Sequence, residues 1–293
     1  MTHIAKNTLL CTSVSFRKWA VDTKLLVLAV LILTFSLSNY VDIGTYARAV
    51  GARVSPWLFP HILNAAIFVP LYGCFAILLF SDAPFIDRHM PFLIIRTGRL
   101  PWILGQMLYI VLASILYSIF QYACTIVAYL HRLELTTDWG KVLRTLASNP
   151  MSPYDKGIQL TVGVDNSIIA SYSAVGATLL SLGLFTLMTV FLGMLIFCLN
   201  LIAGKMTGIL VAGVLAFVSY FSLGIGQFLL GPRILFFSPL NWGSLLCLTR
   251  TASGSLPSIA YAVTFYIAGS LLMAGLSVWA FLRRDVDIGE GVE

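Results

Sequence analysis

Long apolar runs alternate with short polar stretches along the 293 residues, and the runs have the length of a bilayer crossing. About 20 consecutive apolar residues span a membrane as a helix. Six runs fit, at residues 25–41, 58–80, 102–130, 168–203, 206–230 and 259–282. The first is the shortest and carries Ser36, Ser38 and Asn39 near its end. The fourth exceeds one bilayer thickness, so its start reads as an interfacial or external segment. Barrel strands would be about ten residues long with alternating polarity, whereas these runs are longer and apolar on all sides. A helix also satisfies its own backbone hydrogen bonds, as lipid requires. The pattern predicts an all-α membrane protein with six transmembrane helices.

The connections carry patterns of their own. Residues 1–23 precede the first run. Within them Ala5, Leu9, Thr12, Phe16, Trp19 and Ala20 fall on one helical face, with Lys6, Ser13 and Arg17 elsewhere. Such a helix can lie in the membrane interface. Segment 81–101 is rich in both charge signs, and 131–167 is long, with Pro150 and Pro153 near its middle. The connection at 231–257 is apolar, with Phe236, Phe237, Leu240, Trp242 and Leu245 among its residues. Those side chains predict a short external re-entrant or interface-lying hairpin before the last span, broken near Pro239.

Composition agrees with a lipid-facing surface. Charged residues are 10% of the chain, against about 25% in soluble domains. The net charge of +6 does not point to nucleic acid, because the cations flank apolar runs, where they fix orientation. With both termini inside, the inner segments hold ten of the 18 Lys and Arg, including four before the first span and Arg283 and Arg284 after the last. That arrangement predicts a multi-pass protein of the cell membrane, with both ends cytoplasmic, 81–101 inside, and 131–167 and 231–257 outside.

Candidate chemistry is sparse. The three glutamates, Glu134, Glu290 and Glu293, lie outside the spans, and no aspartate sits mid-span. Proton-relay carriers and glutamate-dependent intramembrane metalloproteases need such groups at bilayer depth. His61 and Asn64 lie one turn apart near the start of the second run; they read more readily as interhelical hydrogen-bonding groups than as a functional pair. The five cysteines form no C-x-x-C pair and read as packing residues, without metal or cofactor. No G-x-x-x-x-G-K-[ST] phosphate loop occurs. Nucleotide-driven work would have to come from a partner.

The inner loop, Asp82-Ala-Pro-Phe-Ile-Asp-Arg-His-Met-Pro-Phe-Leu-Ile-Ile-Arg-Thr-Gly-Arg-Leu-Pro-Trp, resembles the corresponding loop of ABC-2 type permeases. These are membrane subunits of ATP-binding-cassette exporters. In that family a short coupling helix docks on the ATPase, and an R-x-x-R turn followed by an aromatic residue and a glycine leads into the third span. Arg96, Arg99, Trp102 and Gly105 take those places here. The layout of interfacial helix, six spans and external hairpin is similar over nearly the full length. The long 131–167 loop departs from it, and Pro91 limits the coupling helix to one side.

The resemblance implies a permease subunit without catalytic residues, coupled to cytoplasmic ATPase subunits that bind ATP and magnesium. It also implies a second permease and contact with membrane lipid. Phe85, Ile86, Met90, Phe92 and Ile95 would be the apolar ATPase-coupling residues, beside Leu93 and Ile94. Asp87, Arg88, Arg96 and Arg99 would be the charged rim. The alternatives are a non-transporting membrane scaffold or immunity protein and, disfavoured by the bare spans, a secondary transporter.

Overall fold

The computed structural model describes residues 2–20, 22–85, 90–204, 206–249, 254 and 256–283. Among these, five helices are long and apolar enough to cross a membrane: Thr23–Ala49, Arg99–Val127, Ala174–Ala203, Thr207–Leu230 and Ile259–Arg283. In chain order the helices are α1 (Thr2–Arg17), α2 (Thr23–Ala49), α3 (Phe59–Ile62), α4 (Phe68–Phe80), α5 (Met90–Thr97) and α6 (Arg99–Val127). The order continues with α7 (Gly140–Ser148), α8 (Asn166–Ser171), α9 (Ala174–Ala203), α10 (Thr207–Phe221), α11 (Gln227–Leu230) and α12 (Ile259–Arg283).

The run at 58–80 is not one helix. It divides into α3, a turn, and the shorter apolar helix α4. Pro70 supplies the reason. A proline inside a helix removes one i to i−4 hydrogen bond and clashes with the preceding turn. The helix therefore starts just before it, at Phe68, where the missing N–H falls among the unpaired donors of a first turn. The long run at 168–203 also divides. Ser173 caps α9 by accepting a hydrogen bond from Gly176 N at 3.2 Å, and α8 stands apart with its own cap, Asp165.

Lys24, at the start of α2, pairs with Asp82 just past α4, at 2.5 Å. Asn200, near the end of α9, binds both Ala83 O (2.8 Å) and Gly208 N (2.7 Å). Trp102, near the start of α6, stacks on Phe281, near the end of α12, with ring centroids 4.9 Å apart. These contacts define a proximal end. At the distal end, residues 50–62 and 128–172 interlock into a small cap. Val54 bridges to Leu133, Ser55 Oγ donates to Trp139 O (2.6 Å), and Trp57 Nε1 donates to Thr136 O (2.7 Å). The 131–167 segment is thus folded. Its α7 buries Val142, Leu143 and Leu146.

Close approach sets the helix packing. A Cβ on Gly208 would sit 2.5 Å from Ile196 O, so α9 and α10 meet there backbone to backbone. Small residues at such crossings are usual between membrane helices. Polar groups inside the bundle bond to one another. Tyr40 and Tyr72 share a hydroxyl–hydroxyl bond, Tyr117 OH donates to Tyr72 O (2.8 Å), and Gln121 Nε2 donates to Tyr117 OH (3.0 Å).

The described residues of 231–257 form no pair of α-helices. They wind as short 3₁₀ turns, Pro232–Phe237, Pro239–Gly243 and Leu245–Cys247, with the break at Ser238–Pro239. Asn241 is fully buried. It accepts a hydrogen bond from Ser219 Oγ and donates to Ser219 O (3.0 Å) and Ser238 Oγ (2.8 Å). Ser219 lies halfway along Thr207–Leu230, and Gly243 faces Met188, halfway along α9. The turns are therefore inserted between helices rather than laid across their ends.

Candidate functional site

Those of the expected coupling residues that are described lie at the proximal end, where the chain passes from α4 to α6. Five residues after the end of α4, Phe85 adopts a φ of +58°. Its ring packs edge-on against Tyr109 of α6 at 5.0 Å. Phe85 therefore turns into the protein, and its place is in a wall rather than on an outer surface. Ile86, Asp87 and Arg88 lie outside the described residues, as do Lys205, Arg250, Arg284, Glu290 and Glu293.

Helix α5 begins at Met90, with Pro91 in its first turn, where a proline is tolerated. It is amphipathic. Phe92 is 71% exposed and Ile95 80% exposed, three residues apart and hence on one face. Arg96 is exposed beside them, while Leu93 and Ile94 are half-buried against the core. Thr97 is buried. Gly98 then takes a φ of +92°, a conformation that favours glycine, and α6 starts at once with Arg99. So Phe92, Ile95 and Arg96 share an outward surface, and Arg99 belongs to the root of α6.

Helix α1 holds the inner face of this unit. Asn7 Nδ2 donates to Thr97 O (3.3 Å), the Cys11 thiol to Thr97 Oγ1 (3.6 Å), and Thr12 Oγ1 to Gly105 O (2.9 Å). Trp19 Nε1 donates to Tyr109 OH (2.9 Å). A Cβ on Gly105 would meet Cys11 Cβ at 2.6 Å, so only glycine admits this approach. Burial pushes the Cys11 thiol up, partly offset by the Thr97 hydroxyl, and keeps it a neutral packing group.

The apolar face read from the sequence, Ala5, Leu9, Thr12, Phe16 and Trp19, is therefore divided between the protein and the outer surface. Cys11, Thr12 and Ser15 are buried, whereas Leu9 is 60% exposed and Ile4 46%. Close helix approach favours small side chains, and lipid, unlike water, does not penalise an outward leucine.

His61 and Asn64 do not form a joint site. His61 Nδ1 accepts from Asp165 N at 3.3 Å, and its ring lies 5.0 Å from Trp139, inside the cap. Burial lowers His61 to about 4, against a smaller opposing effect of Asp165. Asn64 Oδ1 instead accepts from Ser244 Oγ at 2.7 Å. Among the described residues no group of three or more His, Cys, Asp or Glu gathers as a metal centre.

Lys24, Asp82, Trp19 and Tyr109 surround the turn after α4; sequence reasoning placed Trp19 on an apolar helical face and gave the other three no role at a site. Lys24 and Asp82 were marked only by position, beside the first and second apolar runs, and Tyr109 only by lying within the third.

Compared with protein-family models, curated proteins and solved structures, the chain matches none.

Proposed function

We propose that this chain is the permease subunit of an ABC-2 type transporter, with α5 as the coupling helix for a separate cytoplasmic ATPase. The observation that carries the proposal is the exposed Phe92–Ile95 face of α5, at the end of the bundle that also holds α1. An apolar pair beside Arg96 suits a groove on a partner, since apolar anchors at an interface centre carry most binding energy. The opposite face is bonded to α1 and continues through Gly98 into α6. A displacement of α5 would move α1 and α6 with it as rigid elements.

Six crossings are part of the same proposal. Asn64 bonds to Ser244 and Asp82 pairs with Lys24, so α4 between them would carry the chain from the distal to the proximal end. Thirteen helical residues cover about 20 Å, so α4 would be the shortest crossing. An even number puts both termini on the proximal, cytoplasmic side. The 231–257 turns, reaching Ser219 and Met188, would be an external re-entrant element. ATP and magnesium would bind the partner, substrate would pass between two permeases or along their interface with lipid, and transport would be export.

The test is co-purification. Phe92→Ala with Ile95→Ala is expected to weaken ATPase capture by about thirtyfold, the equivalent of about 2 kcal/mol for a truncated anchor. Arg96→Glu should weaken it less, and less still at high salt. Membrane insertion should be unchanged. Undiminished ATPase recovery and undiminished nucleotide-stimulated transport in the double variant would exclude α5 as the coupling element.

A further inference from the structure

Helices α10 and α12 both pack on α9, and a cleft of about 810 Å³ lies between them. Its walls include Phe191 of α9, Leu215 of α10 and Phe265 of α12, and its cover is the first 3₁₀ turn, with Arg233, Phe236 and Phe237. That volume suits a small molecule, and small-molecule sites are mostly apolar with a few placed polar groups. The apolar walls here are largely aromatic. Phe236 meets Tyr261 edge-on at 5.5 Å, and Trp242 meets Phe265 edge-on at 5.0 Å. A ring in the cleft gains edge and face contacts beyond its buried area, which a flexible acyl chain does not. Among the described residues of the wall, Arg233 alone is charged. A guanidinium offers five N–H donors in a planar fork, more than one neighbour uses, and the fork matches a carboxylate.

The cover joins the bundle at two points. At one, α10 widens into a π-turn, Ser222–Gly226. Two side chains enter the helix where it begins: Asn241 Nδ2 donates to Ser219 O (3.0 Å), and Ser222 Oγ to Val218 O (2.6 Å). Side-chain donors on helix carbonyls loosen and bend a helix locally, and π-turns recur at functional sites. At the other point, Ser238 is fully buried and bonded to Asn241. Of residues 227–237 only Leu235 is buried, while Phe228 is 90% and Phe237 80% exposed. A latch closes the cover, since Trp242 Nε1 donates to Leu235 O at 2.6 Å.

We propose that this cleft binds an aromatic carboxylate, its ring among Phe191, Phe265 and Trp242 and its carboxylate on Arg233, under a flap formed by residues 227–237. The flap swings on the π-turn and Ser238, while α10 and Asn241 stay in place. Because Arg233 rides on the flap, an anion bound in the cleft draws it closed. The proposal does not depend on the coupling role of α5.

The experiment compares three probes that share one ring system: naphthoate, naphthamide and naphthylmethylammonium. Each is titrated onto the purified chain in phosphatidylcholine nanodiscs, with binding read by saturation-transfer NMR and empty nanodiscs subtracted. Naphthoate should bind about fivefold more tightly than naphthamide, as an exposed ion pair allows, and the ammonium more weakly than either. Hydrogen exchange over 227–237 should slow with naphthoate and not with the ammonium. Arg233→Gln should bring naphthoate and naphthamide together, and Leu215→Trp should fill the cleft and weaken both severalfold. The three-probe comparison needs no variant, so it stands whether or not Leu215→Trp folds. Equal affinity for the three probes, or a preference for the ammonium, would overturn the proposal. So would a monodisperse Leu215→Trp variant that binds naphthoate in full, or naphthoate binding that leaves exchange over 227–237 unchanged. Binding no greater than that of empty nanodiscs would assign the cleft to bilayer lipid and overturn it equally.

Discussion

Gly208→Ala should loosen the α9–α10 contact by an amount that follows from its geometry. An added Cβ would stand 2.5 Å from Ile196 O, 2.7 Å from Ile196 Cα and 2.8 Å from Asn200 Oδ1. Ordinary contact begins near 3.4 Å, so the two backbones must part by about 0.9 Å, and neither is a flexible side chain. Overpacking of this kind costs about 1–3 kcal/mol. The shift also stretches the bond from Gly208 N to Asn200 Oδ1, now 2.7 Å, a loss of about 1 kcal/mol. The total of about 2–4 kcal/mol corresponds to a midpoint lowered by roughly 5–15 °C. Gly213, five residues along the same helix, is the control, because nothing lies within 4 Å of its Cβ position. There alanine removes only the conformational cost of glycine and should stabilise by about 1 kcal/mol. Thermal unfolding of both variants in detergent, followed by size-exclusion fluorescence, reads the difference in sign. Equal midpoints, or a Gly208→Ala midpoint at or above wild type, would show that α9 and α10 do not meet in this way.

Two further outcomes are expected. Asn241→Ala should cost about 1–3 kcal/mol, since it strips hydrogen-bond partners from Ser219 and Ser238 in a buried site; protease cutting within 231–258 should rise, and unchanged cutting would contradict the inserted turns. His61, held neutral down to about 4, has a folded value below its unfolded value of about 6.5, so the unfolded chain binds the extra proton. The cap should be fully stable above about pH 6.5 and lose about 3 kcal/mol as the pH falls to about 4. Hydrogen exchange over 128–172 at pH 7.5 and 4.5 measures this, and the same pH dependence in His61→Gln would exclude His61 as its source.

The long helices were legible because lipid demands unbroken apolar length, and five runs satisfy it directly. The run at 58–80 has the same composition but not the same backbone. Its break depends on Pro70 falling three residues into α4 and on Asn64 finding Ser244, 180 residues away. Apolar content and the break near Pro239 marked out 231–257, but nothing local distinguishes 3₁₀ turns from short α-helices there. At the site, an apolar loop residue reads alike whether it faces in or out. Phe85 and Phe92 differ through a positive φ and the position of Tyr109, both tertiary facts. The tyrosine chain from Tyr40 to Gln121 joins three helices and has no sequence signature beyond Tyr117 and Gln121 sharing a face.

The seat of α1 on α6 also constrains the order of assembly. Thr12 reaches its acceptor, Gly105, across 93 residues of chain. At synthesis rates of about 5–20 residues per second, roughly 5–20 s separate the two. Throughout that interval the hydroxyls and thiol of α1 have no helix to meet, while Leu9 and Leu10 on its other flank already favour lipid. The helix must wait for its partner, and it docks only when α6 arrives.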